Sequence, residues 1–258
     1  MSTRILWTIL LILDFSSIVC YSQAKTELTF HLLSQEDDAS FLNNKENKSI
    51  YESLKWIDLG NQNSLSFGGG YRYQAESFIN AGFYGVNGQD NIWFLNRLML
   101  HAHLLFGSSF EIFTELNSST VIDKDEQSPV DKDALSVNQV FIKYKFNSDW
   151  SILIGRENLK FGTRRLVDIR EGPNVRRSFD LARLDYTTPT INITAFASLP
   201  VKNKPEVFDN EFLDFGETFS GIYVTKILSK SLGIDMYGFY QKDDSVIYNV
   251  GMSNERRF

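Results

Sequence analysis

From about residue 64 the chain alternates apolar and polar residues with a period of two, the repeat of a β-strand whose two faces differ. In SLSFGGGYRYQA, Leu65, Phe67, Gly69, Tyr71, Tyr73 and Ala75 fall on one face, and Ser66, Gly68, Gly70, Arg72 and Gln74 on the other. In LNRLMLHAHLLF, Leu98, Leu100, Ala102, Leu104 and Phe106 alternate with Arg97, Met99, His101 and His103. Phe110, Ile112, Thr114 and Leu116 oppose Glu111, Phe113 and Glu115; Val140, Ile142, Tyr144 and Phe146 oppose Gln139, Phe141, Lys143 and Lys145. After Asn147-Ser148-Asp149 the pattern resumes at Trp150, Ile152 and Ile154, and again at Ile191, Ile193, Ala195, Ala197 and Leu199. Further strands are predicted near 219–228, 232–241 and 245–252, for roughly nine or ten in all.

Two architectures accommodate such alternation. A soluble β-sandwich turns the apolar face inward and the charged face to water. A transmembrane barrel turns the apolar face to lipid and the polar face to a lumen. Three features favour the barrel. Runs such as residues 95–106 match a tilted bilayer crossing. Rings sit toward strand ends, as at Trp93, Phe94, Phe106, Phe146 and Trp150, where an aromatic girdle belongs. Short turns alternate with long polar loops at 117–134 and 155–178. The predicted fold class is therefore all-β, a transmembrane antiparallel β-barrel. The strand count and an ending in NVGMSNERRF, with Arg256 and Asn254 on the face of Phe258, lead us to expect an incomplete, N-terminal, roughly half barrel.

The first residues read as an address. Arg4 precedes the apolar run ILWTILLIL, and Ser22 and Ala24 are small residues where a signal peptidase cuts. Residues 1–24 are thus expected to be a secretory signal peptide, 25–50 a polar N-terminal segment and 51–258 the partial barrel. A membrane anchor is disfavoured by Asp14, which interrupts the run. Acylation at Cys20, the sole cysteine, is a further alternative. Downstream of the leader no stretch holds 18 consecutive apolar residues, and no cysteine remains to form a disulfide framework.

Charge changes the picture more than composition does. The chain carries a net −6, which with no sustained basic tract argues against nucleic acid as a partner. Yet between Gly155 and Arg183 eight basic residues face four acidic ones, a net of +4: Arg156, Lys160, Arg164, Arg165, Arg170, Arg176, Arg177 and Arg183. Seven of the eight are arginine, whose guanidinium stays charged and grips carboxylate or phosphate with paired hydrogen bonds. The glycines of this stretch do not make a phosphate-binding loop, and no Lys-Ser or Lys-Thr follows them. A solvated surface loop, a lipopolysaccharide patch on the exterior, and an anion pathway through the lumen remain. In the last case Arg72, Arg97, Lys143 and Lys145, on the polar faces of their strands, extend the track.

The same stretch, GRENLKFGTRRLVDIREGPNVRRSFD, resembles the signature of the alginate export family of outer-membrane β-barrel proteins. The elements carrying the resemblance are Gly155-Arg156, Arg165-Leu166-Val167, Arg170 through Arg176, and Ser178-Phe179-Asp180; Leu181 stands where the family often has glycine. The likeness runs from about Trp93 to the end. It implies a barrel of about eighteen strands that passes an anionic polysaccharide or its fragments through an electropositive constriction, in the outer membrane of a Gram-negative bacterium. The partners so implied are an anionic poly- or oligosaccharide and outer-membrane lipid, with room for a periplasmic export partner. A general anion or sugar porin, or a surface or periplasmic carbohydrate-binding sandwich, are the alternatives.

Catalysis finds no support. His101 and His103 share a strand face, but no third ligand is placed beside them, and a polar histidine pair is the simpler account. Adjacent carboxylates such as Asp243-Asp244 lie in strand patterns and read as solvated positions. Neither a cofactor nor a metal is expected.

Overall fold

The structure, a computed structural model, describes residues 28–78, 91–124, 127–248 and 251–257. The expected signal peptide and Phe258 lie outside these residues. Eleven strands follow one another: β1 (Ile57–Gly60), β2 (Asn63–Phe78), β3 (Asn91–Phe106), β4 (Phe110–Ile122), β5 (Asp133–Lys145), β6 (Trp150–Glu157), β7 (Phe179–Thr187), β8 (Ile191–Pro200), β9 (Glu217–Ser229), β10 (Leu232–Tyr248) and β11 (Gly251–Arg257). Each pairs antiparallel with the next, so a single meandering sheet results, with β1 and β11 at its open edges among the described residues. A sandwich would need a second sheet; the strands described here form one. The strands expected separately at 232–241 and 245–252 are instead the long β10, whose register slips between Asp243 and Val246, followed by β11.

The sheet is inverted relative to a water-soluble protein. On β3, Trp93, Leu95, Arg97, Met99 and His101 are buried, while Ile92, Leu98, Leu100 and Phe106 are exposed. On β4 and β5 the buried positions include Glu115, Asn117, Ser119, Asp133, Ser136, Asn138 and Gln139, and the exposed ones Leu116, Ile122, Ile142 and Tyr144. Outward apolar and inward polar faces are what a barrel wall in lipid requires, because water is the solvent only on the inside. Short turns at 107–109, 146–149, 188–190 and 230–231 lie at one end of the sheet, and the longer connections 123–132, 158–178 and 201–216 at the other.

Two segments cover the inner face. Residues 28–55 run across it as two 3-10 turns and helix α1 (Ile50–Lys55), started by a Ser49–Glu52 capping box. The amine of Lys55 occupies the space left by the missing side chain of Gly68, beside His101. The connection from β6 to β7 packs beside it. Leu159 and Val167 from this inner loop join Phe113, Phe141, Leu153, Phe179, Leu181 and Phe196 in one apolar cluster. The inner face is therefore polar overall, with one apolar anchor where the loop seats.

Two backbone features aim the side chains around this anchor. A bulge in β5, where Glu115 pairs with Gln139 but Leu116 with Val137, leaves Asn138 as an extra residue. Both Asn138 and Gln139 then point inward, and both amides donate to Glu115 Oε1 at 2.7 and 3.0 Å. On β6, Gly155 adopts φ +140°, and a Cβ there would run into the Val140 carbonyl oxygen and Phe141. Leu181, its cross-strand partner on β7, is buried. A Gly155→Ala substitution is expected to cost about 3 kcal/mol from strain and collision, read as a lowered denaturant midpoint of the folded, heat-modifiable form.

Candidate functional site

The inner loop is tethered by polar side chains that reach it from the wall. The buried Asn174 shares its amide hydrogens among the carbonyls of Asn96, Thr120 and Asp131, at 2.9–3.2 Å. Its own carbonyl accepts from Ser119 Oγ at 3.0 Å. Asn158 and Ser178 close the two ends of the loop over the β5 bulge: Asn138 donates to Asn158 Oδ1 at 2.9 Å, and Ser178 Oγ donates to the Asn138 carbonyl at 2.8 Å. A buried amide is costly unless its hydrogen bonds are made, so these contacts fix one loop position.

Charge completes the tether. Glu171 lies among three guanidiniums. Arg97 and Arg176 both hydrogen-bond its carboxylate, the latter at 2.7 Å, and Arg72 stands 4.0 Å away while donating to the carbonyls of Glu171 and Pro173. Burial pulls the Glu171 carboxyl upward, but Arg176 and then Arg97 override it and hold the group below its ordinary 4.5. The knot keeps a surplus of positive charge. Arg97 is 4% exposed, yet its Nη1 and Arg72 Nε are buried without a hydrogen-bond partner. Both residues line a cavity of about 470 Å³ between the wall, the loop and residues 30–37.

A second basic site lies further along the loop. Arg164, Arg165 and Arg170 are exposed and, among the described residues, make no ion pair. Together with Arg177 they line a pocket of about 250 Å³ whose floor includes Phe179 and Phe219. Arg177 stacks 5.2 Å from the centre of the Phe179 ring and stands 3.6 Å from Glu217. Burial, and then the like charge of Arg170, draw Arg177 below its ordinary value, with Glu217 opposing. Arg164 and Arg170 both have φ near +60°, an uncommon conformation for a side-chain-bearing residue, held here by the seated loop.

The remaining sequence candidates fall in three places. Arg183 faces inward but is balanced by Glu157 at 2.7 Å and Asp185 at 2.9 Å. Lys143 and Lys145 face inward on β5, the latter exposed near the strand end. Arg156, expected on the anion track, is on the opposite, outer face with the exposed Ile154. Its partner is Asp180, at 2.7 and 3.0 Å, and the 201–216 loop covers the pair, with the Phe212 ring 3.7 Å from the guanidinium. Arg156 closes the outer wall rather than lining the inner face. His103 hydrogen-bonds Glu111 at 3.0 Å, and both histidine rings pack on Phe113.

A family model described as alginate export matches residues 63–257, the whole sheet except β1. The chain belongs to the alginate export family. No curated protein matches it. Alginate export proteins are porin-like transporters of the Gram-negative outer membrane rather than enzymes, and they pass polysaccharide. The match begins at β2, earlier than the likeness around the basic stretch indicates. Glu171 and Asn174 sit inside the Arg170–Arg176 element that carries that likeness, but nothing in the sequence marks them as the residues that seat the loop.

Because the Glu171 pKa is depressed, its contribution is complete above the ordinary 4.5 and is lost as pH falls through the lower folded value. Amide hydrogen exchange across 169–177 is expected to stay protected from neutral pH down to about 5 and to lose protection below about 4. Glu171→Gln should reduce that protection at every pH, because three guanidiniums then face no carboxylate. Protection indifferent to both changes contradicts the tether.

Proposed function

We propose that the protein is an outer-membrane passage for an anionic polysaccharide or oligosaccharide, in which the inner loop forms an arginine-lined constriction. The outer apolar face lies in lipid, the long connections face the cell exterior, and the short turns face the periplasm. The observation that carries the proposal is the surplus of guanidinium on the inner face. Among the described residues Arg164, Arg165 and Arg170 make no ion pair, with Asp168 and Glu217 the acids of their pocket, and the Glu171 knot sets one acid against three arginines. Unpaired cations held by a seated loop, rather than on flexible side chains at a surface, raise the local concentration of anions and lower the barrier for their entry. A guanidinium grips a carboxylate through two parallel hydrogen bonds, which suits a polymer with one acid per sugar.

Family membership supports polysaccharide passage in general, and the charge surplus supports its anionic form. Arg156, on the outer face, is left out of the proposed path. Arg72, Arg97 and Arg176 would act at the first cavity, Arg164, Arg165, Arg170 and Arg177 at the second. Lys143 and Lys145 would extend the positive field toward the short-turn end.

Planar-bilayer recordings in a salt gradient test the proposal. Wild-type protein is expected to give a reversal potential of anion-selective sign. Substituting Arg164, Arg165 and Arg170 together by serine should move it toward zero without loss of the heat-modifiable gel shift. A reversal potential unchanged by the triple substitution would remove the loop from the selectivity element.

A further inference from the structure

The arginine pocket does not end at its guanidiniums. Its floor, Phe179 and Phe219, is the start of a patch of rings on the inward positions of β7 to β10. Phe196 lies 5.2 Å from Phe219, and Phe239 5.4 Å from it. From Phe239 the patch continues to Tyr237, at 5.2 Å, and to Tyr223, the cross-strand partner of Tyr237, at 5.8 Å and 5° between planes. Phe161 from the inner loop stacks on Tyr223 at 5.0 Å and 13°.

Part of this patch seats the loop: Phe179 and Phe196 are buried in the apolar cluster, and Phe161, Phe219 and Phe239 pack against it. Tyr237 is not explained that way. It is 54% exposed, lies outside that cluster, and faces inward where, away from the strand ends, the other exposed large apolar side chains of the described strands face outward. Gly221, directly opposite Phe239, bears no side chain, and the edge of the Phe239 ring lies over it. An exposed ring on a polar, water-facing wall incurs the cost of hydrating apolar surface unless something covers it.

We propose that Tyr237, backed by Tyr223 and Phe239, is the exposed step of a stacking track for the pyranose rings of the transported chain, leading to the pocket where Arg164, Arg165, Arg170 and Arg177 take its carboxylates. A sugar ring presents an apolar face of C–H groups, and an aromatic ring presents a negative face that attracts them, independent of net charge. Such contacts are sequence-tolerant and individually weak, as base stacking on aromatic platforms is, so a chain can step from ring to ring without being trapped. The occupant is therefore an acidic hexopyranose chain: the rings recognise the sugar and the guanidiniums its acid. The assignment rests on the channel function proposed above but adds a component that charge alone does not supply.

The test separates the two components by using oligosaccharides of equal length, one uronate and one neutral, as blockers of ion current through the protein in planar bilayers. Both are expected to block wild-type protein, the uronate more strongly. Tyr237→Ala should weaken block by both, roughly fivefold, and leave the salt-gradient reversal potential unchanged, while Tyr237→Phe should keep wild-type block. The triple arginine-to-serine variant should lose the uronate advantage yet keep neutral block. Absence of neutral block in wild type, or neutral block unaffected by Tyr237→Ala, overturns the track. Neutral block that depends on Tyr237 in a protein without anion preference would overturn the arginine constriction and leave the track standing.

Discussion

One carboxylate, Glu171, holds the inner face in its present form. Arg97 and Arg176 are almost fully buried, and a buried guanidinium without a counter-charge is costly, on the order of several kcal/mol. Glu171 meets Arg97 from β3 and Arg176 from its own loop, with Arg72 from β2 close by, so it closes the loop onto the wall and relieves their mutual repulsion. Asn174, three residues on, converts that attraction into a defined position through carbonyls of β3, β4 and the 123–132 connection. With the loop seated, Arg164, Arg165 and Arg170 are held exposed and, among the described residues, without an ion pair, in a pocket they share with Asp168 and Glu217. The unpaired charge is a consequence of the paired charge.

A second constraint is the inversion of the sheet. Polar groups that line β3, β4 and β5 are covered by two segments of the same chain: Gln35 hydrogen-bonds Gln139 on the wall, Lys160 and Glu36 tie the two segments together, and within the wall Glu115 takes both amides of the β5 bulge. Arg156–Asp180 is a buried ion pair on the outer face. It is closed off by the 201–216 loop and a phenylalanine ring, as a charge pair on an otherwise apolar face must be. Membership of the alginate export family and this inversion agree on part of a barrel wall with an apolar outer and a polar inner face.

Much of this was legible in the residues. Period-two alternation separated the faces of β2 to β5 and of β8 correctly, because each carries several large apolar side chains on one face and polar ones on the other. The position of Arg156 was not legible. It lies at the end of β6, where one residue of parity decides the face and the deciding contacts, Asp180 and Phe212, come from segments 24 residues or more away. The covering of the inner face by residues 28–55 was equally hidden, since that segment has no period and is held by single polar contacts. The ring patch is read only through cross-strand register: Tyr223 and Tyr237 are fourteen residues apart and meet because β9 and β10 pair as they do.

The proposed channel combines an outward apolar band, a loop locked by one carboxylate, exposed guanidiniums beside it and a run of rings leading away. The central claim is that the loop arginines line a water-filled passage while the alternate strand positions face lipid. Thiol labelling of single-cysteine variants in intact membranes addresses it directly. A cysteine at Arg170 should react rapidly with a membrane-impermeant, negatively charged thiol reagent and change the conductance as it does so, whereas cysteines at Leu98 and Ile154 should resist the same reagent. Ready labelling of Leu98 and Ile154, with Arg170 labelled at no cost to conductance, would contradict it.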